Sequence, residues 1–316
     1  MSNVIRLLSA TAIGLALAGA AHAETLTVYT AGPGSLIKKL AAGYTETTGN
    51  DVEVFQATTG KVMARLAAEA ANPIADVVIS ASWDTATQFD SEGLLLDYTS
   101  PNAATVPDFL KADDYVAQGI SALAIAWNTN SGTPEPSDWS DLAKPEYKDL
   151  VTMPDPASSG SAYELVSALT AAPGIGWELF EGLAENDMIV PGANAEALNP
   201  VLQGAKAVVF GAVDYQSFDQ IDNGESIKVI FPTTGTVIAP RPMMILKSSE
   251  HQDAAKAFID YVLSEDGQAI VASTHLMPAR ADIGADRPLI SDLKLLDADA
   301  SADRQATLDQ FSGLFK

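Results

Sequence analysis

The sequence predicts an α/β protein built as two lobes, and three observations carry that expectation. A strand–turn–helix unit occurs twice and ends in a third strand between residues 26 and 80. A break at Thr99-Ser100-Pro101-Asn102 is followed by a second α/β stretch. The chain has 316 residues, 47% of them hydrophobic, enough for about two cores.

Residues 26–29 (LTVY) read as a strand, Ala31-Gly32-Pro33-Gly34 as a turn, and 35–48 as a helix with apolar residues at helical spacing and a C-cap at Gly49. The unit repeats as strand 52–56, turn 57–60 and helix 61–71, followed by strand 76–80. A βαβαβ run predicts a mainly parallel sheet covered by helices. Beyond the break, 116–127 is a long strand-rich run, 155–170 a turn and helix, and 177–185 and 194–203 are helices. Residues 207–211 (AVVFG) form a buried strand leading to Asp214-Tyr215. Strands at 227–231 and 236–246 are separated by Pro232-Thr233-Thr234-Gly235, and a helical pair covers 251–263 and 265–273.

Composition excludes much chemistry. With no cysteine, disulfide scaffolds, thiolate-bound zinc, iron–sulfur clusters and cysteine nucleophiles are out. Against 41 Asp+Glu stand 18 Lys+Arg, a net charge of −23, which repels nucleic-acid and membrane phosphates. Neither a Walker loop nor a GxGxxG motif is present, and no cofactor is expected. Residues 1–23 carry Arg6, an apolar run from Leu7 to Ala20, and Ala21-His22-Ala23: a secretory signal with cleavage after Ala23, a mature chain from Glu24 and an exported product. Loss of Arg6 would bring the mature charge to −24, because −23 minus the single signal charge of +1 is −24. Of the histidines, only His251 and His275 would remain, and neither sits in a triad-like arrangement; the Ser158 region is SSGSA and not the GxSxG elbow.

Three predicted strand-to-helix junctions share one chemistry: Gly32-Pro33-Gly34-Ser35, Thr58-Thr59-Gly60-Lys61 and Ser158-Ser159-Gly160-Ser161. Unpaired N–H groups and the peptide dipoles favour an anion at a helix N-terminus, and glycine and hydroxyl residues allow close approach and add donors. Plain capping by Ser and Thr is the competing reading. Trp83 and Tyr215, near strand ends, are candidates to pack on a solute; Asp214 is a candidate to receive an ammonium group or a metal, against a solvated turn aspartate. Lys61 and Arg241 are candidate counter-charges, with a surface position expected for both.

The tract from Gly224 to Ala272 (GESIKVIFPTTGTVIAPRPMMILKSSEHQDAAKAFIDYVLSEDGQAIVA), with TGKVMARLAAEAANPIADVVISAS, DPASSGSAYELVSAL and the LTVYTA start, resembles periplasmic solute-binding proteins of ABC importers. It is most similar to the ferric-iron-type group, which also includes binders of phosphorylated and phosphonate compounds. The resemblance implies the two-lobed type II periplasmic-binding fold with a ligand cleft between lobes, lobe 1 from 24–112 plus 238–280 and lobe 2 from 113–237 plus 281–316. It further implies cleft closure on one small-molecule solute, delivery to an ABC permease in the inner membrane, no enzymatic activity and a monomer. Ferric binders of this kind carry adjacent tyrosines after the strand matching 207–211, and often a histidine after the first strand. Here those places read Asp214-Tyr215-Gln216 and Thr30-Ala31-Gly32. The expected ligand is therefore a phosphonate, phosphate ester or other oxyanion held by Gly34, Ser35, Thr58, Thr59, Gly60, Ser158, Ser159, Gly160 and Ser161, with Trp83, Asp214 and Tyr215 around the rest. Ferric iron on Tyr215 and Asp214 is the alternative ligand, and a secreted hydrolase using cleft carboxylates the alternative class.

Overall fold

A computed structural model describes residues 24–296 and 303–315; the predicted signal segment lies outside them. The chain forms β1 (Thr25–Thr30), α1 (Gly34–Thr48), β2 (Asp51–Gln56), α2 (Thr59–Ala68), β3 (Val77–Ile79) and α3 (Trp83–Ser91), then the long β4 (Tyr115–Asn128). Next come β5 (Val151–Pro154), α4 (Gly160–Ala171), α5 (Glu178–Glu185), β6 (Ile189–Gly192), α6 (Asn194–Leu202), β7 (Val208–Val213) and α7 (Asp214–Asp222). The chain ends with β8 (Ile227–Ile230), β9 (Ile238–Ile245), α8 (Gln252–Val262), α9 (Glu265–Ala272), β10 (Met277–Pro278) and α10 (Arg304–Leu314).

The strands lie in the order β2-β1-β3-β9-β4-β7-β5-β6, with β8 and β10 also pairing on β4. Each lobe has its own parallel set, β2-β1-β3 in one and β6-β5-β7 in the other. The antiparallel strands between them do the joining. Residues 115–122 of β4 pair with β9, whereas 123–128 pair with β7 and β8. A strand that passes through both sheets must be covered on both faces, and β4 is buried along nearly its whole length.

In the first lobe α1 carries Leu36, Ile37, Leu40 and Tyr44 on one buried face. Tyr44 lies edge-on to Phe258 and donates its hydroxyl to Ala254 O at 2.9 Å, which fixes α1 on α8. Gly49 closes α1 at φ 79°, and its N–H donates to Thr45 O, a left-handed cap that a Cβ would strain. In the second lobe Phe210 packs on Trp139 and Phe180, and Phe180 packs on Phe311, so α10 seats on the second lobe.

Six elements escaped the pattern reading, among them β10, which is only two residues long. Strands β5 and β6 are four residues each, too short to show a period. Helix α3 buries only Thr85 and Ala86, and α7 buries Asp214, Tyr215 and Ser217, so neither shows an apolar stripe. Helix α10 buries only Thr307 and Phe311.

Candidate functional site

A cavity of about 780 Å³ opens where the lobes face each other. The first lobe contributes the α1 start (Ala31 to Ser35), the α2 start (Phe55 to Thr59, with Lys61) and Ala81; the second contributes Ser158 to Gly160, Ala193 to Glu196 and Tyr215-Gln216. All three predicted junctions are helix N-termini in the structure, with Pro33, Thr58 and Ser159 as N-caps. A fourth joins them: α6 starts at Asn194 after an Ala193 N-cap that offers no side-chain bond. Its signal, Gly192-Ala193-Asn194, lacks a hydroxyl residue and was passed over.

The individual residues divide. Gly34, Ser35, Thr58, Thr59, Ser158, Ser159, Gly160 and Tyr215 line the cavity; Gly60, Ser161, Trp83 and Asp214 do not. Thr58 makes no capping bond with its side chain. Ser159 does cap, accepting from Ala162 N at 3.3 Å, and it also meets Ser161 Oγ at 3.1 Å and Asn194 Oδ1 at 3.0 Å. Ser158 Oγ donates to Asp155 at 3.1 Å.

The glycines serve the approach of the lobes to each other. The Gly60 N–H donates across the gap to Ser158 O at 3.3 Å, and a Cβ on Gly60 would lie 2.6 Å from Ala157 O. A Cβ on Gly160 would lie 2.9 Å from the Ala81 carbonyl carbon. Backbone meets backbone at both points, so neither position has room for a side chain.

Two expectations for charged residues are corrected. Asp214, expected at the ligand or in a solvated turn, is fully buried at the start of α7. It forms an ion pair with Arg287, itself 1% exposed in its side chain, and accepts from Ala122 N at 2.9 Å and Tyr215 N at 2.7 Å. Its acceptor capacity is spent on the crossing strand β4 and on α7. Arg241, expected at the surface, is 1% exposed. It stands between Pro240 and Pro242 in β9, opposite the irregularity in β4 between Ala117 and Ile120. Prolines cannot donate to the ladder and a bulge re-aims side chains, so the flanking prolines and the irregularity of the partner strand together account for a charged residue pointing inward here. Its Nη1 donates to Ala31 O at 3.3 Å, its guanidinium lies 5.2 Å from the Tyr215 ring centroid, and its Nε has no partner. Ala31 and Tyr215 are both cavity residues, which puts the guanidinium beneath the floor. Among the described residues no carboxylate pairs with it.

Trp83, expected against the solute, begins α3 and packs edge-on to Tyr115, 5.1 Å between ring centroids. Lys61 is exposed at the rim as expected; Lys39, Glu196 and Asp219 are the other charged residues around the cavity. Among the described residues no group of three or more His, Asp or Glu is arranged to hold a metal.

These features define a two-lobed α/β binding protein with a cleft at the joint. Residues 72–301 match the family of bacterial extracellular solute-binding proteins, and the chain belongs to that family. It is 26% identical over 258 residues to iron uptake protein A1 of Synechocystis, 75% of this chain and 70% of that protein. It is 26% identical over 181 residues to the phosphoglycerate transport regulatory protein PgtC of Salmonella typhimurium, 55% of this chain but only 45% of that longer protein. Among solved structures it resembles the periplasmic binding protein AfuA from Actinobacillus pleuropneumoniae, with fructose-6-phosphate bound, at TM-score 0.84 and 22% identity over 92% of this chain and 98% of that one. The chain is thus a solute-binding protein of an ABC importer with the type II periplasmic-binding fold.

Proposed function

We propose that the cleft captures a small organic anion bearing a phosphoryl, phosphonyl or similar oxyanion group, in the periplasm, for delivery to an inner-membrane permease. Arg241 carries this reading. A buried guanidinium is costly unless it is paired, and among the described residues no carboxylate pairs with this one. An anionic solute in the cavity above would supply the counter-charge, while four helix N-termini and the Thr58 and Thr59 hydroxyls would supply donors. The cavity is in the size range of sites for organic ligands and far exceeds a bare metal ion. Ferric iron is the weaker reading, because Asp214 is committed to Arg287 and Tyr215 would be the one evident anionic ligand. The mature chain from Glu24 would act as a monomer, with lobes 24–112 plus 238–280 and 113–237 plus 281–316, and would bind its solute without turnover. The seating of α10 on α5 and α4 supports the second assignment.

The test is thermal unfolding of the mature protein, refolded to strip carried ligand, against fructose 6-phosphate, 3-phosphoglycerate, 2-aminoethylphosphonate, phosphate, molybdate and ferric citrate. Ligand at 100 times its dissociation constant stabilises the fold by about 2.7 kcal/mol. Stabilisation by an oxyanion-bearing compound is expected. Stabilisation by ferric citrate alone, with an iron-to-tyrosinate absorption band, would replace the anion reading by the iron one.

A further inference from the structure

A second set of contacts joins the lobes outside the cavity. Glu164, on α4 of the second lobe, reaches the start of α3 on the first. Its Oε1 accepts from Ser82 Oγ at 2.6 Å and from Trp83 N at 2.7 Å. Beside it Arg304, at the start of α10, donates from Nη1 to Asp84 Oδ2 at 2.6 Å and lies 4.1 Å from the Tyr163 ring centroid. Ser82, Trp83, Asp84, Tyr163, Glu164 and Arg304 are all absent from the solute cavity lining. The N-terminus of α3 is chemically the same kind of anion site as those in the cavity, and here a carboxyl group of the opposite lobe occupies it.

The protonation of this cluster is constrained. Ser82 Oγ lies in hydrogen-bond contact with both Glu164 and Asp84, yet a hydroxyl has one hydrogen to donate. Both contacts can be hydrogen bonds at once only when one of the two carboxyl groups holds a proton. Burial, with the nearby Asp84 charge adding, raises the Glu164 carboxyl above its ordinary range, against the opposing bonds from Ser82 and the Trp83 and Asp84 N–H groups. The charged and titratable groups facing Glu164 are Asp84 on α3, Tyr163 on its own helix and Arg304 on α10.

We propose that Glu164, together with the Asp84–Arg304 pair, determines solute affinity from outside the cavity by holding the two lobes against each other. Solute gripped between lobes needs the closed arrangement, and apparent affinity scales with the fraction of molecules that adopt it. Contacts that touch only protein raise that fraction without touching solute. The reasoning holds whatever the solute is, and the test needs none.

The chain lacks cysteine, so Thr87→Cys on α3 and Gln310→Cys on α10 place two unique spin labels on exposed positions either side of these contacts. Their distance distribution is measured by pulsed dipolar spectroscopy on solute-free mature protein. The labelled background should show a predominant short-distance population, and Glu164→Ala should shift it to longer distances. Glu164→Gln should keep it short, because an amide oxygen in the place of Oε1 can accept from both Ser82 Oγ and Trp83 N. Arg304→Gln should give a smaller shift in the same direction, and serves if Glu164→Ala does not fold. A background with only long distances, or an unchanged distribution in folded Glu164→Ala and Arg304→Gln, overturns the proposal.

Discussion

Two buried arginines stand at the joint between the lobes, and the chain treats them differently. Arg287 meets Asp214, which also receives the N–H groups of Ala122 and Tyr215, so its charge is compensated within the fold. Arg241 meets a carbonyl oxygen and an aromatic face, and its Nε meets nothing. The first is a structural pair that ties the segment after β10 to the crossing strand and α7. The second has no carboxylate partner among the described residues. Burial alone does not separate them, since the Arg287 side chain is 1% exposed and Arg241 as a whole 1%; the presence or absence of a carboxylate does.

This comparison makes opposite demands on stability and binding. Asp214→Ala leaves Arg287 buried without its partner, and breaking a buried pair in this way costs about 3–5 kcal/mol. Urea unfolding should show that loss, the largest expected here; a loss below about 1 kcal/mol would mean that Arg287 escapes to water, and would dissolve the distinction. Arg241→Met should do the reverse. Removing an uncompensated buried charge should leave solute-free stability unchanged or raised, whereas loss of a charged hydrogen bond to an anion costs about 1.5–3 kcal/mol, roughly tenfold to more than a hundredfold in dissociation constant. Calorimetric titration with whichever oxyanion compound stabilises the wild type reads this directly. Unaltered affinity in Arg241→Met would remove the counter-charge from the site.

Smaller in effect is Gly60→Ala. A Cβ would press on Ala157 O at 2.6 Å, and backbone cannot step aside as a flexible side chain can. Closure should become less favourable and solute affinity fall about tenfold, with unfolding midpoint little changed. An affinity equal to wild type would show that the lobes do not approach this closely when solute is bound.

The sequence made the helix starts legible because their chemistry is local: glycine and hydroxyl residues at a strand-to-helix turn mark an N-terminus wherever the rest of the chain goes. It did not reveal which N–H groups face solute and which face the other lobe, because Gly60 and Ser158 meet only once the lobes are in place. Asp214 and Arg287 are 73 residues apart, and Ser82 and Glu164 are 82 apart. No periodicity reports such a pairing. Arg241 was misplaced for a different reason: arginine is ordinarily a surface residue, and the bulge that turns it inward is a property of β4. The βαβαβ run and the helical pair at the end of the first lobe were readable because each shows its own period.

A third buried charge tests whether an unpartnered group must mean a missing ligand. Asp114 is 8% exposed, and the neighbouring charges that act on it are the acidic Asp90 and Asp97. Burial, followed by the Asp90 charge and a shared hydrogen bond, pushes its carboxyl up to about 6. A carboxyl group can resolve such a position by keeping a proton, and a guanidinium cannot release one. Asp114 therefore needs no ligand, and its contribution has a definite sign. A raised value in the folded state means stability that is present in full below the unfolded-state range near 4 and is lost as pH rises through about 6. Wild-type protein should gain more stability than Asp114→Asn between pH 7.5 and pH 5, the difference reading Asp114 together with Asp90, with which it shares a hydrogen bond. Equal gains would show Asp114 to be solvated and ionised, leaving Arg241 without this internal control. A larger wild-type gain would show that this fold tolerates a lone buried charge where proton uptake can neutralise it, which is the route closed to Arg241.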